Sequence, residues 1–377
     1  MKNRKDKLNE FFLNKEVDGI LFFRPDEVLM ATGYYSVWGA TVCLCLPNKK
    51  AILYIPVLEP EQEILKDYCV KKYSFGVLGV NPWDSLQEII KEDLKNLNLE
   101  KSNISYIKNI LGGALPANHG EIPPLNLEII DSIVNNLKLN YINYDQELKN
   151  LYEEKTTEDI KALKTTHEVV KEAVEVFHKN LIPGISEGEL SGIVELEIKK
   201  KMNLTNKKHV CGWCYINSGK NSVNSGKYAQ STAKTIEKND IVLMELAICV
   251  NGYWADITRT GVAGNNKNFS EIFNIIKQAQ QKAIENIKPG VSMKEIDQIT
   301  RDFIKEKGYG SEFNHALGHQ VGFRYHDPND GFNPYSKGIL KEGMVITVEP
   351  GIYSEEIGFG VRIEDNILVT IDGAEVL

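Results

Sequence analysis

The stretch "NLIPGISEGELSGIVELEIKKK", residues 180–201, lines up at an offset of 106 with "NIKPGVSMKEIDQITRDFIKEK", residues 286–307. Asn, Pro, Gly, Ser, Glu, two Ile and two Lys coincide without a gap. One Pro-Gly loop leading into an amphipathic helix is a routine connector. Two matched copies point to a duplicated α/β half, and so to a pseudo-two-fold domain with a cleft where the halves meet.

Between the copies lies "VLMELAICVNGYWADITRT", residues 242–260. Asn251-Gly252 between two apolar runs signals a two-residue hairpin, since both central positions of a type I′ turn need positive φ. If Val250 opposes Tyr253, Ala247 opposes Asp256 and Glu245 opposes Thr258. Met244, Leu246, Ile248 and Val250 then share a core face with Tyr253, Ala255 and Ile257. Glu245 and Asp256 fall on the other face as diagonal neighbours, about 7–8 Å apart at their backbones. Two half-buried anions repel unless a cation lies between them or one takes up a proton. A solvated polar face is the alternative.

Upstream, the pattern from 17 to 56 reads as strands and turns, with "GILFF" and then "TVCLCLPNKKAILYIP" as a hairpin around Pro47-Asn48. Near 150–156 the period changes. Ile160, Leu163, Val170, Val174 and Phe177 recur at helical spacing behind a Thr156/Thr157 cap followed by acids, so a long amphipathic helix opens a second unit. The 377 residues suit two domains, and 42% hydrophobic content supports packed cores. The charge of -8 comes from 52 acidic and 44 basic residues that are well mixed, so no nucleic-acid footprint follows. The short runs Lys199, Lys200, Lys201 and Lys207, Lys208 read as solvated helix ends. The charged N-terminus lacks a signal-peptide core and no apolar run reaches about 18 residues, so a cytoplasmic protein that does not cross a membrane is expected. Six cysteines in such a chain argue for free thiols. "CGWC", Cys211 to Cys214, has redox-dithiol spacing, but its surroundings alternate like a strand, which favours ordinary strand cysteines.

The last third carries the remaining chemistry. "NHALGHQVGFRYHDP" places His315, His319 and His326 among glycines, "MVITVEPGIY" ends a strand on Glu349, and "GFGVRIEDNILVT" sets Glu364 on the face opposite Val361 and Ile363. Each alone also reads as a structural residue. Together, four carboxylates and one imidazole match what two divalent ions require, with bridging carboxylates and an open position for water.

The order Glu245, Asp256, His319, Glu349, Glu364, within "GYWADITRT", "GHQVG", "HDP", "TVEPGIY" and "VRIED", resembles the pita-bread family of creatinase, aminopeptidase P and prolidase. "ATGYYS" near residue 31 fits that family's smaller N-terminal domain. The resemblance implies an α/β fold with a creatinase-like N-terminal domain over 1–152 and a pseudo-symmetric pita-bread catalytic domain over 153–377. It also implies a homodimer and two divalent ions, with manganese preferred over cobalt, zinc or iron, held by Glu245, Asp256, His319, Glu349 and Glu364. Family peptidases carry Asp where this chain has Glu245, a change that moves the carboxylate outward by about 1.5 Å. Lys227, in "GKNSVNSGKYAQST", takes the place of an upstream substrate His. His326 matches the other active-site His, His315 resembles the extra His of a prolidase-like "HGLGH" segment, and Arg362 is expected to hold the carboxylates around Glu364.

Three readings follow. The first is a metal-dependent hydrolase of amide-type carbon-nitrogen bonds, an Xaa-Pro dipeptidase or aminopeptidase, with Glu349 as proton shuttle and His326 steadying the oxyanion. The second, suggested by Glu245 and Lys227, is a metal-poor creatinase-like hydrolase of a small nonpeptide metabolite. The third is a noncatalytic binding protein on the same fold.

Overall fold

The fully apolar run around residue 20 becomes strand β1 (Gly19–Phe22), with each residue buried as expected of a strand covered on both faces. The computed structural model of the chain describes residues 2–13, 15–60, 62–109, 126–200, 209–227 and 229–377. Helix α1 (Arg4–Phe12) precedes β1, and α2 (Pro25–Thr32) follows it. Proline at the start of α2 and Gly33 at φ 76 beyond its end mark both termini. The expected hairpin forms from β2 (Val42–Cys45) and β3 (Ile52–Pro56), paired at Leu44 and Ile52, with Asn48 at φ 57 in the turn.

β4 (Cys69–Tyr73), α3 (Pro82–Asn96), β5 (Asn103–Ser105), α4 (Leu127–Asn136), β6 (Asn140–Tyr141) and α5 (Asp145–Lys149) complete this unit. Its six-stranded sheet runs β4-β3-β2-β1-β5-β6, antiparallel between β1, β2 and β3 and parallel elsewhere. Leu86, Ile90 and Leu94 of α3 and Ile130, Ile133 and Val134 of α4 pack with Leu21, Leu44 and Tyr54 into one core.

The chain passes into a second compact unit between Tyr152 and Glu153. Helix α6 (Thr157–Asn180) opens on a capping box, in which Thr156 Oγ1 accepts from the Asp159 amide at 3.2 Å and the Asp159 carboxylate accepts from the Thr156 amide at 2.8 Å. After α7 (Glu187–Lys200) come β7 (Val210–Ser218), β8 (Ile241–Val250) and β9 (Tyr253–Val262), an antiparallel sheet in the order β7-β8-β9. Lys199 and Lys200 end α7, whereas Lys201, Lys207 and Lys208 lie outside the described residues. The second half repeats the plan with α8 (Lys267–Asn286), α9 (Met293–Glu306), β10 (Val345–Val348), β11 (Gly351–Ser354), β12 (Phe359–Arg362), β13 (Asp365–Val369) and β14 (Ala374–Val376). β10, β13 and β14 form one sheet in the order β10-β13-β14, while β11 pairs with β12.

The sequence repeat is a structural repeat. In the first copy, the Gly184 and Glu187 amides donate to Ile236 and Lys234 at 2.9 and 3.0 Å; in the second, Gly290 and Met293 donate to Leu340 and Gly338 at 2.8 and 2.9 Å. Each half buries its own core. Phe177, Leu190 and Val194 pack on the even-numbered side chains of β8, and Ile276, Ile296 and Phe303 pack on Ile346, Val348 and Ile367.

Candidate functional site

The hairpin adopts the register read from its turn. Asn251 and Gly252 have φ of 50 and 88, Val250 pairs with Tyr253, Ala247 with Asp256 and Glu245 with Thr258. Met244, Leu246, Ile248, Val250, Ala255 and Ile257 face the core of the first half, while Tyr253 instead donates to Asp159 at 2.8 Å. Glu245 and Asp256 share the opposite face, yet they are 3% and 1% exposed, so this is no solvated surface.

β9 is tied to the second half by its own backbone and side chains. Asn366 accepts from the Asp256 amide at 3.1 Å and donates to the Asp256 carbonyl at 2.7 Å, and the Glu364 amide donates to Thr258 O at 3.1 Å. Glu364 sits in the two-residue break between β12 and β13, where the chain changes sheets. That break turns it toward Asp256.

His319 arrives from a loop held against β10, with its amide donating to Thr347 Oγ1 at 3.0 Å. The approach requires Gly318, because a Cβ there would lie 1.9 Å from Thr347 O. Glu349 follows β10 by one residue, and its amide donates to Leu317 O at 2.9 Å. The two halves thus converge. Ligand atoms of Asp256, His319 and Glu364 all lie within 4.8 Å of one another, and His319 Nε2 is 3.3 Å from Asp256 Oδ2 and 3.8 Å from Glu349 Oε1.

The electrostatics of this cluster call for a cation or a proton. His319 Nδ1 contacts Gln320 O at 3.1 Å, and a carbonyl only accepts, so Nδ1 carries a proton. Nε2 faces the Asp256 and Glu349 carboxylates. Asp256 Oδ1 and Glu364 Oε1 are buried without a hydrogen-bond partner. Burial, reinforced by the neighbouring carboxylates, holds the Asp256 and Glu364 carboxyls well above the usual range. Burial likewise pushes Glu349 up to about 7. Oxygen and imidazole donors of this kind suit a hard or borderline divalent ion.

Glu245 is held differently. Its Oε1 accepts from Tyr325 Oη at 3.0 Å, and its Oε2 lies 2.7 Å from Thr258 Oγ1 and in an ion pair with Arg362 Nη2. Thr258 Oγ1 is also 2.8 Å from Glu364 Oε2 and accepts from Arg362 Nε at 2.8 Å. A hydroxyl has one hydrogen, so it donates to one carboxylate and can accept from the other only when that one is protonated.

A cavity of about 390 Å³ opens onto the cluster, lined among others by Ser225, Gly226, His315, His326 and Arg362. The ring of His326 lies 3.8 Å from that of His319, and burial beside His319 keeps it neutral, well below the usual imidazole range. His315 donates from Nδ1 to Ala316 O at 2.7 Å and accepts at Nε2 from Tyr353 Oη at 3.1 Å; that oxygen accepts from Arg362 Nη1 at 2.7 Å. His315 therefore braces Arg362 through a tyrosine. Lys227 ends the short turn Ser225–Lys227 beside the cavity but is not among its lining residues. Cys211 and Cys214 lie on the continuous strand β7, and their three-residue spacing sends them to opposite faces.

The sequence alone assigns no role to Tyr325 or Tyr353 and places Thr258 only opposite Glu245. Their signals were local: Tyr325 precedes His326, and Thr258 occupies the register position opposite Glu245. Tyr325 also packs against Trp213, with ring centroids 5.2 Å apart, forming an aromatic wall with Ala247.

The chain is similar to known peptidases over nearly its whole length. An Xaa-Pro dipeptidase of Pyrococcus furiosus is 33% identical over 100% of the chain and 98% of that relative. An uncharacterised peptidase of Staphylococcus epidermidis is 37% identical over 98% of the chain and 97% of that relative. The crystal structure of the prolidase from Pyrococcus horikoshii superposes with a TM-score of 0.76 at 30% identity, covering 100% of this chain and 97% of that one. The profile of metallopeptidase family M24 matches residues 161–371, the unit in which the paired halves bring Asp256, His319 and Glu364 together, and the chain belongs to that family.

Proposed function

We propose that the protein is a metal-dependent Xaa-Pro dipeptidase. The observation that carries the reading is the cluster of Asp256, His319 and Glu364, whose ligand atoms lie within 4.8 Å of one another, with one oxygen of each carboxylate buried without a hydrogen-bond partner. These residues, together with Glu349, would hold the first divalent ion. Glu245 serves a second ion only when it gives up Arg362, so the second ion binds more weakly. Manganese is the preferred ion. Residues 1–152 act as the creatinase-like N-terminal domain and 153–377 as the catalytic domain of a cytoplasmic homodimer.

Bound metal supplies Lewis-acid polarisation and a water acidified towards pKa ~7. Glu349 takes the proton of the attacking water and hands it to the leaving nitrogen, a role open to a carboxylate that lines the cavity 3.8 Å from His319 Nε2. His326, neutral at pH 7, donates its N–H to the tetrahedral oxyanion. Tyr325 and Trp213 exclude water from one side. Lys227 attracts the substrate carboxylate from the cavity rim, and Arg362 keeps Glu245 in place.

The manganese-loaded protein is expected to cleave an Xaa-Pro dipeptide, to leave longer Xaa-Pro peptides largely intact, and to lose activity on chelation. Glu349→Gln should lower kcat by about 10²–10⁴. Preferential release of the first residue from longer peptides would make it an aminopeptidase. The Glu245–Arg362 ion pair favours one second reading, a creatinase-like hydrolase of a small amidine, because it withdraws a metal carboxylate. Turnover of creatine without Xaa-Pro hydrolysis would establish that reading, and turnover of neither would leave a noncatalytic binding protein.

A further inference from the structure

We propose that Cys211 and Cys249 form a peroxide-reactive dithiol that closes reversibly into a cross-strand disulfide. Cys211 on β7 and Cys249 on β8 are directly opposed in the antiparallel ladder. The Asn251 amide donates to His209 O at 2.9 Å, so residues 209 and 251 form a hydrogen-bonded pair. Alternation makes 211 and 249 the next such pair, with Cα atoms about 5.5 Å apart. Disulfides span roughly 4.4–6.8 Å between Cα atoms. Both thiols leave the face that also carries Trp213 and Ala247, away from the core that receives Cys214.

The two sulfurs differ as an attacking and a resolving thiol should. Cys211 is partly exposed, while Cys249 is 1% exposed. Hydrogen bonding from Cys249, aided by His209 and the charge of Lys199 on α7, lowers the Cys211 thiol to about 5. Burial raises Cys249 well above the ordinary range, so it stays a protonated thiol. The other close pair, Cys43 and Cys45 with Sγ atoms 3.6 Å apart, is 0% and 3% exposed and offers peroxide no approach.

Hydrogen peroxide is the oxidant. The Cys211 thiolate attacks one peroxide oxygen, the O–O bond breaks, hydroxide leaves, and Cys211 becomes a sulfenic acid. The Cys249 sulfur then attacks Cys211 Sγ. The S–S bond forms, the S–O bond breaks, and the departing hydroxide leaves as water with the Cys249 proton. Two thiols lose two electrons in all, and one peroxide becomes two waters. An external dithiol reverses the step by exchange.

The test is differential alkylation of the manganese-loaded protein after brief hydrogen peroxide treatment at pH 6, followed by peptide mass spectrometry. At that pH an ordinary thiol is about 0.3% ionised, so Cys211 has roughly a 300-fold excess of thiolate. Its lower basicity takes back about 40-fold. Cys211 should therefore be oxidised about tenfold faster than a simple thiol, yielding a Cys211–Cys249 linked peptide that dithiothreitol removes. Cys249→Ser should accumulate a dimedone-reactive sulfenic acid at Cys211, and Cys211→Ser should leave Cys249 reduced. Oxidation of the exposed Cys69 ahead of Cys211, a disulfide joining Cys211 to any other cysteine, or no dimedone adduct in Cys249→Ser would overturn the proposal. Mapping of the wild-type protein decides the matter even if a variant fails to fold.

Discussion

Glu245 and Asp256 leave the same face of one hairpin and are equally buried, yet they are neutralised in different ways. Glu245 finds a guanidinium, a phenol and a hydroxyl within the protein, while Asp256 keeps one oxygen without a partner. Burying a charge is tolerable only when it is paired. The first end of the face is therefore complete as a protein structure, and the second needs an ion or a proton. The difference identifies where metal should bind first, which alternation along the strands cannot do.

The largest effect should come from breaking the complete end. Arg362→Met leaves the Glu245 carboxylate buried without its cation and should destabilise the metal-free protein by about 3–5 kcal/mol in denaturant unfolding. Adding Glu245→Gln should recover more than half of that loss. An unchanged Arg362→Met protein would show that the pair does not hold this end together.

A pH series sharpens the other end. Glu349, with its side chain 17% exposed, is raised from 4.5 to about 7 in the metal-free fold. Its proton stabilises that fold fully below pH 4.5, and this stability is lost as pH rises through about 7, amounting to about 3 kcal/mol. Asp256 and Glu364 shift in the same direction. Metal requires these groups ionised, so the gap in Tm between loaded and metal-free protein should widen from pH 5 to pH 8. A gap that narrows over that range would contradict the assignment.

Calorimetric titration with manganese compares the ends directly. Asp256→Asn should weaken the tight ion by about 100-fold, or about 2.7 kcal/mol, whereas Glu245→Gln should change it less than about threefold and remove the weaker ion. Equal losses in both variants would make Glu245 a ligand of the tight ion. The smallest effect is expected for Tyr325→Phe, which removes the hydrogen bond to Glu245 and should cost about 1–2 kcal/mol of stability in denaturant unfolding.

Much of this was legible before folding. The Asn251-Gly252 turn dictates the register that puts Glu245 and Asp256 on one face, because hairpin pairing and side-chain alternation are local consequences of chain geometry. The Pro-Gly repeat announced two halves, and the capping box at Thr156 marked the helix that opens the first. For Glu349 and Glu364 the chemistry was legible, but the strand alternation that puts Glu349 at a strand end and Glu364 opposite Val361 and Ile363 does not hold. Both lie just outside regular strands, where alternation no longer determines direction.

What the sequence by itself determined is therefore the inventory and the faces: a duplicated α/β domain, a hairpin with two carboxylates on one side, and imidazoles and glutamates in the last third. Only the tertiary structure decided their pairing. Arg362, 117 residues beyond Glu245, claims that carboxylate. Thr258 stands between Glu245 and Glu364, and the close approach at Gly318 brings His319 to Asp256. Partners so far apart along the chain meet only when the two halves close. The charge of each buried group is then set by the nearest cation, proton or ion, and the order of residues along the chain does not specify which one that is.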